Sequence, residues 1–134
     1  MSYSVHVDDI ETRDYQRLRE QTSWGAVSDA TVTQSISTHL VCVIAKDPEE
    51  HVIGVARLVG DRMYAYVQDV IVDVDHRGLG IGTALVKALT AWLNDNSSGD
   101  GFIGLMAAHQ THPFYEKLGF VVRPADAPGM QLLR

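Results

Sequence analysis

The 134-residue chain is long enough for one domain with a sizeable core, and its 46% hydrophobic and 21% charged residues are ordinary for a globular protein. No apolar run approaches the ~18 residues that span a bilayer, and the start, Met1-Ser2-Tyr3-Ser4-Val5-His6-Val7-Asp8, has neither the basic nor the apolar stretch of a signal peptide. A formal net charge of −6 and a pI near 5.3 argue against nucleic acid as the main partner and suit a cationic amine, while the single cysteine, Cys42, excludes an internal disulfide and fits the cytoplasm.

In chain order, Ser4 to Val7 reads as a short strand. Thr12 is the expected cap of a helix carrying Tyr15, Leu18 and, more weakly, Thr22 at helical spacing, broken by Trp24-Gly25. Ser28 to Ile36 reads as a second short helix. Leu40 to Ala45 is a strand whose apolar run buries Cys42 as a structural thiol. Lys46-Asp47-Pro48-Glu49-Glu50 turns into a return strand over Val52 to Val59, and Gly60-Asp61-Arg62 turns again into Tyr64 to Val72. Ile81, Ala84, Leu85, Ala88, Leu89, Trp92 and Leu93 form a helical stripe that ends near Asn94 to Ser98. Phe102 to Ala107 is a buried strand and Thr111 to Leu118 a short helix closed by Gly119. Phe120 to Arg123 and Met130 to Leu133 are expected as two last strands. The order β α α β β β α β α β β, without a linker or repeat, predicts one α+β domain over residues 1–134 with a mixed sheet.

Arg77-Gly78-Leu79-Gly80-Ile81-Gly82 stands between an apolar strand and an amphipathic helix. Glycines let the backbone approach an anion closely, and the first N–H groups of a helix are unpaired and electropositive, so the turn predicts a phosphate-bearing ligand. A dinucleotide fold or a P-loop fits poorly. The turn follows several strands rather than the first, no Gly-Lys-Ser/Thr follows, and no acidic residue ends a second strand of a βαβ unit.

Arg77-x-x-Gly80-x-Gly82 resembles the Q/R-x-x-G-x-G/A signature of the Gcn5-related N-acetyltransferases (GNAT). Pro113-Phe114-Tyr115-Glu116-Lys117-Leu118-Gly119-Phe120 resembles the same family's Phe-Tyr-x-x-x-Gly-Phe element, in the family's order, and the likeness covers Val52 to Phe120. It implies a central, mostly antiparallel sheet of six or seven strands flanked by about four helices. It also implies acetyl-coenzyme A as co-substrate, with its pyrophosphate on the N–H groups of Gly78, Leu79, Gly80, Ile81, Gly82 and Thr83. Its pantetheine arm would lie along the backbone of Val70, Ile71 and Val72. Arg77 either adds a charged contact to the phosphates or is a solvated turn residue.

The implied reaction is acetyl transfer to a primary amine by direct attack in a ternary complex, the amine belonging to a small molecule or a protein. The alternative is a non-catalytic acyl-coenzyme A-binding regulatory domain. Tyr115 takes the family's position for the acid that protonates the leaving thiolate, or is a core aromatic with a satisfied hydroxyl, and the N–H of Val70 takes the oxyanion site. Asp69 is the candidate base or ammonium anchor, or else holds a structural hydrogen bond; strand alternation sets it on the opposite face from Gln68, and a bulge at Asp69 would change which side chain faces the cleft. His109 is a second cofactor contact or a plain surface residue. Trp24 and Met130 line the acceptor pocket or pack in the core. No His, Cys and carboxylate set has metal-ligand spacing, so no metal is expected. A homodimer is implied at the level of the family.

Overall fold

A computed structural model describes residues 2–134 of the chain. In chain order its elements are β1 (Ser4–Val7), α1 (Thr12–Arg19), α2 (Asp29–Ile36), β2 (Val41–Lys46), β3 (Val52–Gly60), β4 (Tyr64–Val72), a 3-10 turn at Val74–His76, α3 (Ile81–Asn96), β5 (Phe102–Gly104) and α4 (His112–Glu116). The strands form one sheet in the order β1-β2-β3-β4-β5. Every neighbouring pair is antiparallel except β4 and β5, which are parallel because α3 crosses between them.

Nearly every residue of β2 and β3 is buried, which explains why they read as continuous apolar runs: helices cover both faces of the sheet. On one face α3 sets Ile81, Leu85, Leu89 and Leu93 against Val43, Ala56, Leu58 and Val67. On the other, Tyr15 and Leu18 of α1 and Val32 of α2 pack on Ile44, Val55 and Ile71, with Cys42 among them. Burial pushes the Cys42 thiol up to about 12, so it stays a thiol. Leu89 is fully enclosed at the centre of the first cluster. Leu89→Ala is expected to lower the unfolding free energy by about 3 kcal/mol, read as a fall in the urea midpoint at unchanged slope.

Most expected elements stand where the sequence places them. Ser28 caps α2, its hydroxyl accepting from the Thr31 N–H at 3.2 Å. Thr12 is the first residue of α1 rather than its cap, and its hydroxyl is paired with that of Thr33 instead. β5 stops at Gly104, short of Ala107. Among the described residues the two last strands are absent, and the sheet there has five strands rather than six or seven. A three-residue β5 offers little ladder to a further strand, and Pro124 and Pro128 remove N–H donors from the segment beyond. Val121, Val122, Met130, Leu132 and Leu133 are accordingly 63–90% exposed. Among the described residues no helix is long and apolar enough to cross a membrane.

Candidate active site

The glycine turn is built by backbone geometry that only glycine adopts without strain. Gly78 and Gly80 both have φ +81°, and Gly80, in the left-handed region, is the cap of α3 with no side chain to occupy the helix end. The first intrahelical bond runs from the Ala84 N–H to the Gly80 carbonyl at 3.0 Å, leaving the N–H groups of Ile81, Gly82 and Thr83 without a helical partner. The preceding 3-10 turn is anchored on both sides. The Asp73 carboxylate accepts from the Asp75 N–H at 2.9 Å, and the Gln21 side-chain oxygen accepts from the Val74 N–H at 2.8 Å. Leu79 and Arg77 are exposed; the Arg77 Nε donates to the Val72 carbonyl at 3.3 Å, folding its charge back over the end of β4.

β4 continues far beyond its partner. It pairs with β5 only from Tyr64↔Phe102 to Tyr66↔Gly104, after which β5 leaves. From Val67 to Val72 the strand is paired with β3 on one side and has an open edge on the other, just before the glycine turn. Val70, Ile71 and Val72 lie on that stretch. An open edge offers alternate N–H and C=O groups to any extended chain laid along it.

The same stretch carries a β-bulge. Val55 pairs with Ile71 and Arg57 with Gln68, so Asp69 and Val70 together oppose Ala56 alone. Asp69 has φ 56°, a left-handed conformation that Asp tolerates better than most residues. The extra residue overturns the expected alternation: Gln68 and Asp69 line one pocket, under α1 and α2, while Val70 and Val72 pack toward α3.

Asp69 is held there by two arginines that sequence reasoning missed. The Arg57 Nε donates to Asp69 Oδ2 at 3.0 Å, with both side chains about nine-tenths buried (9% and 11% exposed). The Arg19 Nη1 lies 3.7 Å from Asp69 Oδ1, too far for a hydrogen bond, and donates to the Tyr15 hydroxyl at 2.8 Å. Burial, and secondarily the Asp69 charge, raise the Tyr15 phenol above its ordinary value. A lone charge inside the apolar run Val52 to Val59 was the signal that could have found Arg57, because an unpaired arginine is not buried in a strand covered on both faces. Asp69→Asn is expected to cost about 3 kcal/mol of stability by leaving a buried guanidinium unpaired, measured by urea unfolding; an Asp69 that served only as a base would lose activity at unchanged stability.

Tyr115, on α4, is half-buried between Phe114 and Phe120, with ring centroids at 4.9 Å and 5.9 Å in edge-on arrangements. It lines a cleft of about 750 Å³ bounded by Phe102 to Leu105, Thr90 and Phe120 to Arg123. Burial raises its phenol, so it stays a protonated donor through the neutral range. Phe114 comes within 3.4 Å of where a Cβ on Gly82 would stand, so α4 closes over the start of α3 and brings the two sequence motifs together.

The remaining candidates are more scattered. His109 is exposed in the turn before α4. Trp24 is 39% exposed and sits under Arg19, whose guanidinium carbon is 5.8 Å from the ring centre, beside the ion pair that Arg19 makes with Asp69. Met130 is 90% exposed in the C-terminal segment. Where the sequence shows no metal-ligand spacing, the β2–β3 turn does gather Asp47, Glu49 and His51. The Asp47 carboxylate is engaged in closing that turn, accepting from the N–H groups of Glu49 and His51 at 3.0 and 2.8 Å.

Residues 37–122 match the model of the acetyltransferase (GNAT) domain, and the chain belongs to that family. It is 38% identical over 86 residues to the chloroplastic GCN5-related N-acetyltransferase 2 of Arabidopsis thaliana, covering 63% of this chain but only 33% of that protein. The chain thus spans about a third of that relative's length. A GNAT-family acetyltransferase of Streptococcus pneumoniae superposes with a TM-score of 0.84 at 25% identity, over 99% of this chain and 98% of that one. A GNAT N-acetyltransferase of Escherichia coli, solved in complex with CoA, has the same fold with a TM-score of 0.70 at 19% identity, over 89% of this chain and 68% of that one.

Proposed function

We propose that the chain moves the acetyl group of acetyl-coenzyme A directly to a primary amine within a ternary complex. The observation that carries this reading is the open edge of β4 from Val67 to Val72, running into a helix end with unpartnered N–H groups. An extended, amide-bearing arm with a pyrophosphate at one end suits both features at once: the arm bonds as an added strand, and the pyrophosphate takes the N–H groups of Gly78 to Thr83. Arg77 is free to unfold from the Val72 carbonyl onto the phosphates.

The chemistry follows from the surroundings. The amine nitrogen attacks the thioester carbon, charge collects on the carbonyl oxygen, and the N–H of Val70 beside the bulge stabilises it. When the carbon–sulfur bond breaks, Tyr115 gives its proton to the thiolate and regains one from solvent; burial raises its phenol and so keeps it protonated until that step. Asp69, which faces two guanidiniums, holds the bulge in this reading, and the amine loses its proton to solvent. His109 and Met130 have no assigned step; Trp24 acts through Arg19.

The test is thiol release from acetyl-coenzyme A with a panel of amines, with mass detection of the acetylated product. Release that requires an amine is the expected result. The engagement of Asp69 favours a second reading, a regulatory domain that binds acyl-coenzyme A without turnover. Tight binding in calorimetry with no product from any amine would establish that instead. A homodimer belongs to the same proposal, with a second copy covering the exposed Val121, Val122, Leu132 and Leu133. Sedimentation at micromolar concentration is expected to give twice the chain mass, and a single-chain mass removes the dimer.

A further inference from the structure

We propose that the acceptor amine carries its own oxyanion, a carboxylate or a phosphate monoester, recognised by Arg57 and Arg19 in the pocket between α1, α2, β3 and β4. The inference rests on the acetyl-transfer reading and names the acceptor class for it.

The pocket, about 370 Å³, lies on the side of β4 to which the bulge turns Gln68 and Asp69. Arg19 and Arg57 both line it, against the single carboxylate of Asp69. One carboxylate cannot satisfy two guanidiniums. Asp69 Oδ2 takes a real hydrogen bond from Arg57, while Arg19 stays at 3.7 Å from Oδ1 and turns to the neutral Tyr15 hydroxyl. The Arg57 Nη1 is buried with no hydrogen-bond partner among the described residues, on a side chain only 9% exposed. A buried charged donor without an acceptor is costly, and such groups are conspicuous because most find a partner. The pocket lining therefore holds one positive charge in excess, and the Arg57 Nη1, itself buried, is a charged donor without a partner among the described residues.

The other walls say what else the acceptor looks like. Val27, Val32, Ile36 and Val59 are apolar, with Thr31 and Gln68 as polar points between them. A compact molecule with a short apolar body, an amine at the β4 end and an oxyanion toward the arginines fits this lining. The chain's overall acidity, which on composition alone suits a cationic amine, is locally reversed here. Guanidinium–oxyanion contacts are short, directional and selective.

The experiment compares matched pairs: β-alanine with propylamine, and phosphoethanolamine with ethanolamine. Acetylation is followed by thiol release, and binding to the acetyl-coenzyme A-loaded protein by calorimetry. The oxyanion-bearing member of at least one pair is expected to have a kcat/KM about tenfold or more above the member that lacks the oxyanion; which pair shows it separates carboxylate from phosphate. Arg19→Gln and Arg57→Lys are expected to narrow that ratio. Arg57→Lys keeps the charge in place should complete removal unfold the chain. Equal rates within both pairs, or a ratio untouched by Arg19→Gln, overturn the inference. If no amine is acetylated, the acetyl-transfer reading fails on its own. The oxyanion site is then decided by calorimetry, where tighter binding of β-alanine or phosphoethanolamine than of its partner supports it and equal or absent binding of all four overturns it.

Discussion

Gly82→Asp is expected to weaken acetyl-coenzyme A binding by about 2 kcal/mol, roughly thirtyfold in Kd, while leaving the empty protein folded. Gly82 lies inside the first turn of α3 rather than in the left-handed turn before it, so a side chain there meets no backbone strain. Its Cβ would stand 3.4 Å from the Phe114 ring, an ordinary contact. An aspartate in the first helical turn even favours the empty helix by about 0.5 kcal/mol through the dipole. Folding and ligand binding therefore move in opposite directions, which sets this substitution apart from a merely damaging one. Calorimetry with acetyl-coenzyme A gives the affinity and a melting curve without ligand gives the stability. Unchanged affinity would remove the pyrophosphate from this helix end.

Tyr115→Phe is expected to lower kcat by about a hundredfold with little change in acetyl-coenzyme A affinity. The ring is held between Phe114 and Phe120 by edge-on contacts that a phenylalanine repeats, so the substitution removes an O–H and keeps the packing. Because burial raises the phenol above its ordinary 10.0, the loss is expected to be constant between pH 7 and 9, where the wild-type hydroxyl stays protonated. Wild-type kcat across that range would place the proton donor elsewhere.

The parts of this molecule that were readable in the sequence are those governed by local rules. Ser28 before a helix, glycines at Gly78 and Gly80, and the stripe from Ile81 to Leu93 each carry their structural meaning within a few neighbours. The bulge at Asp69 does not, because it is set by the register between β3 and β4 and leaves the apolar pattern on either side intact. The sequence therefore leaves a bulge at Asp69 as an option beside plain alternation, and the partnership of Asp69 with Arg57 and Arg19, distant in sequence, stays out of view. The C-terminal strands fail for a related reason. Phe120 to Arg123 has strand-like composition, but a strand needs a partner with room for it, and β5 ends too soon.

The parting of β4 from β5 has a consequence for the lifetime of the chain. Past the end of β5, the amides of Val67 to Val72 that do not face β3 are left open to water. Those amides should exchange with deuterium quickly in the empty protein and slowly once a cofactor arm occupies that stretch as a surrogate strand. A ligand bound only by the folded form adds its binding free energy to stability. If acetyl-coenzyme A fills that stretch as proposed, the chain is expected to resist limited proteolysis better as the ligand concentration rises.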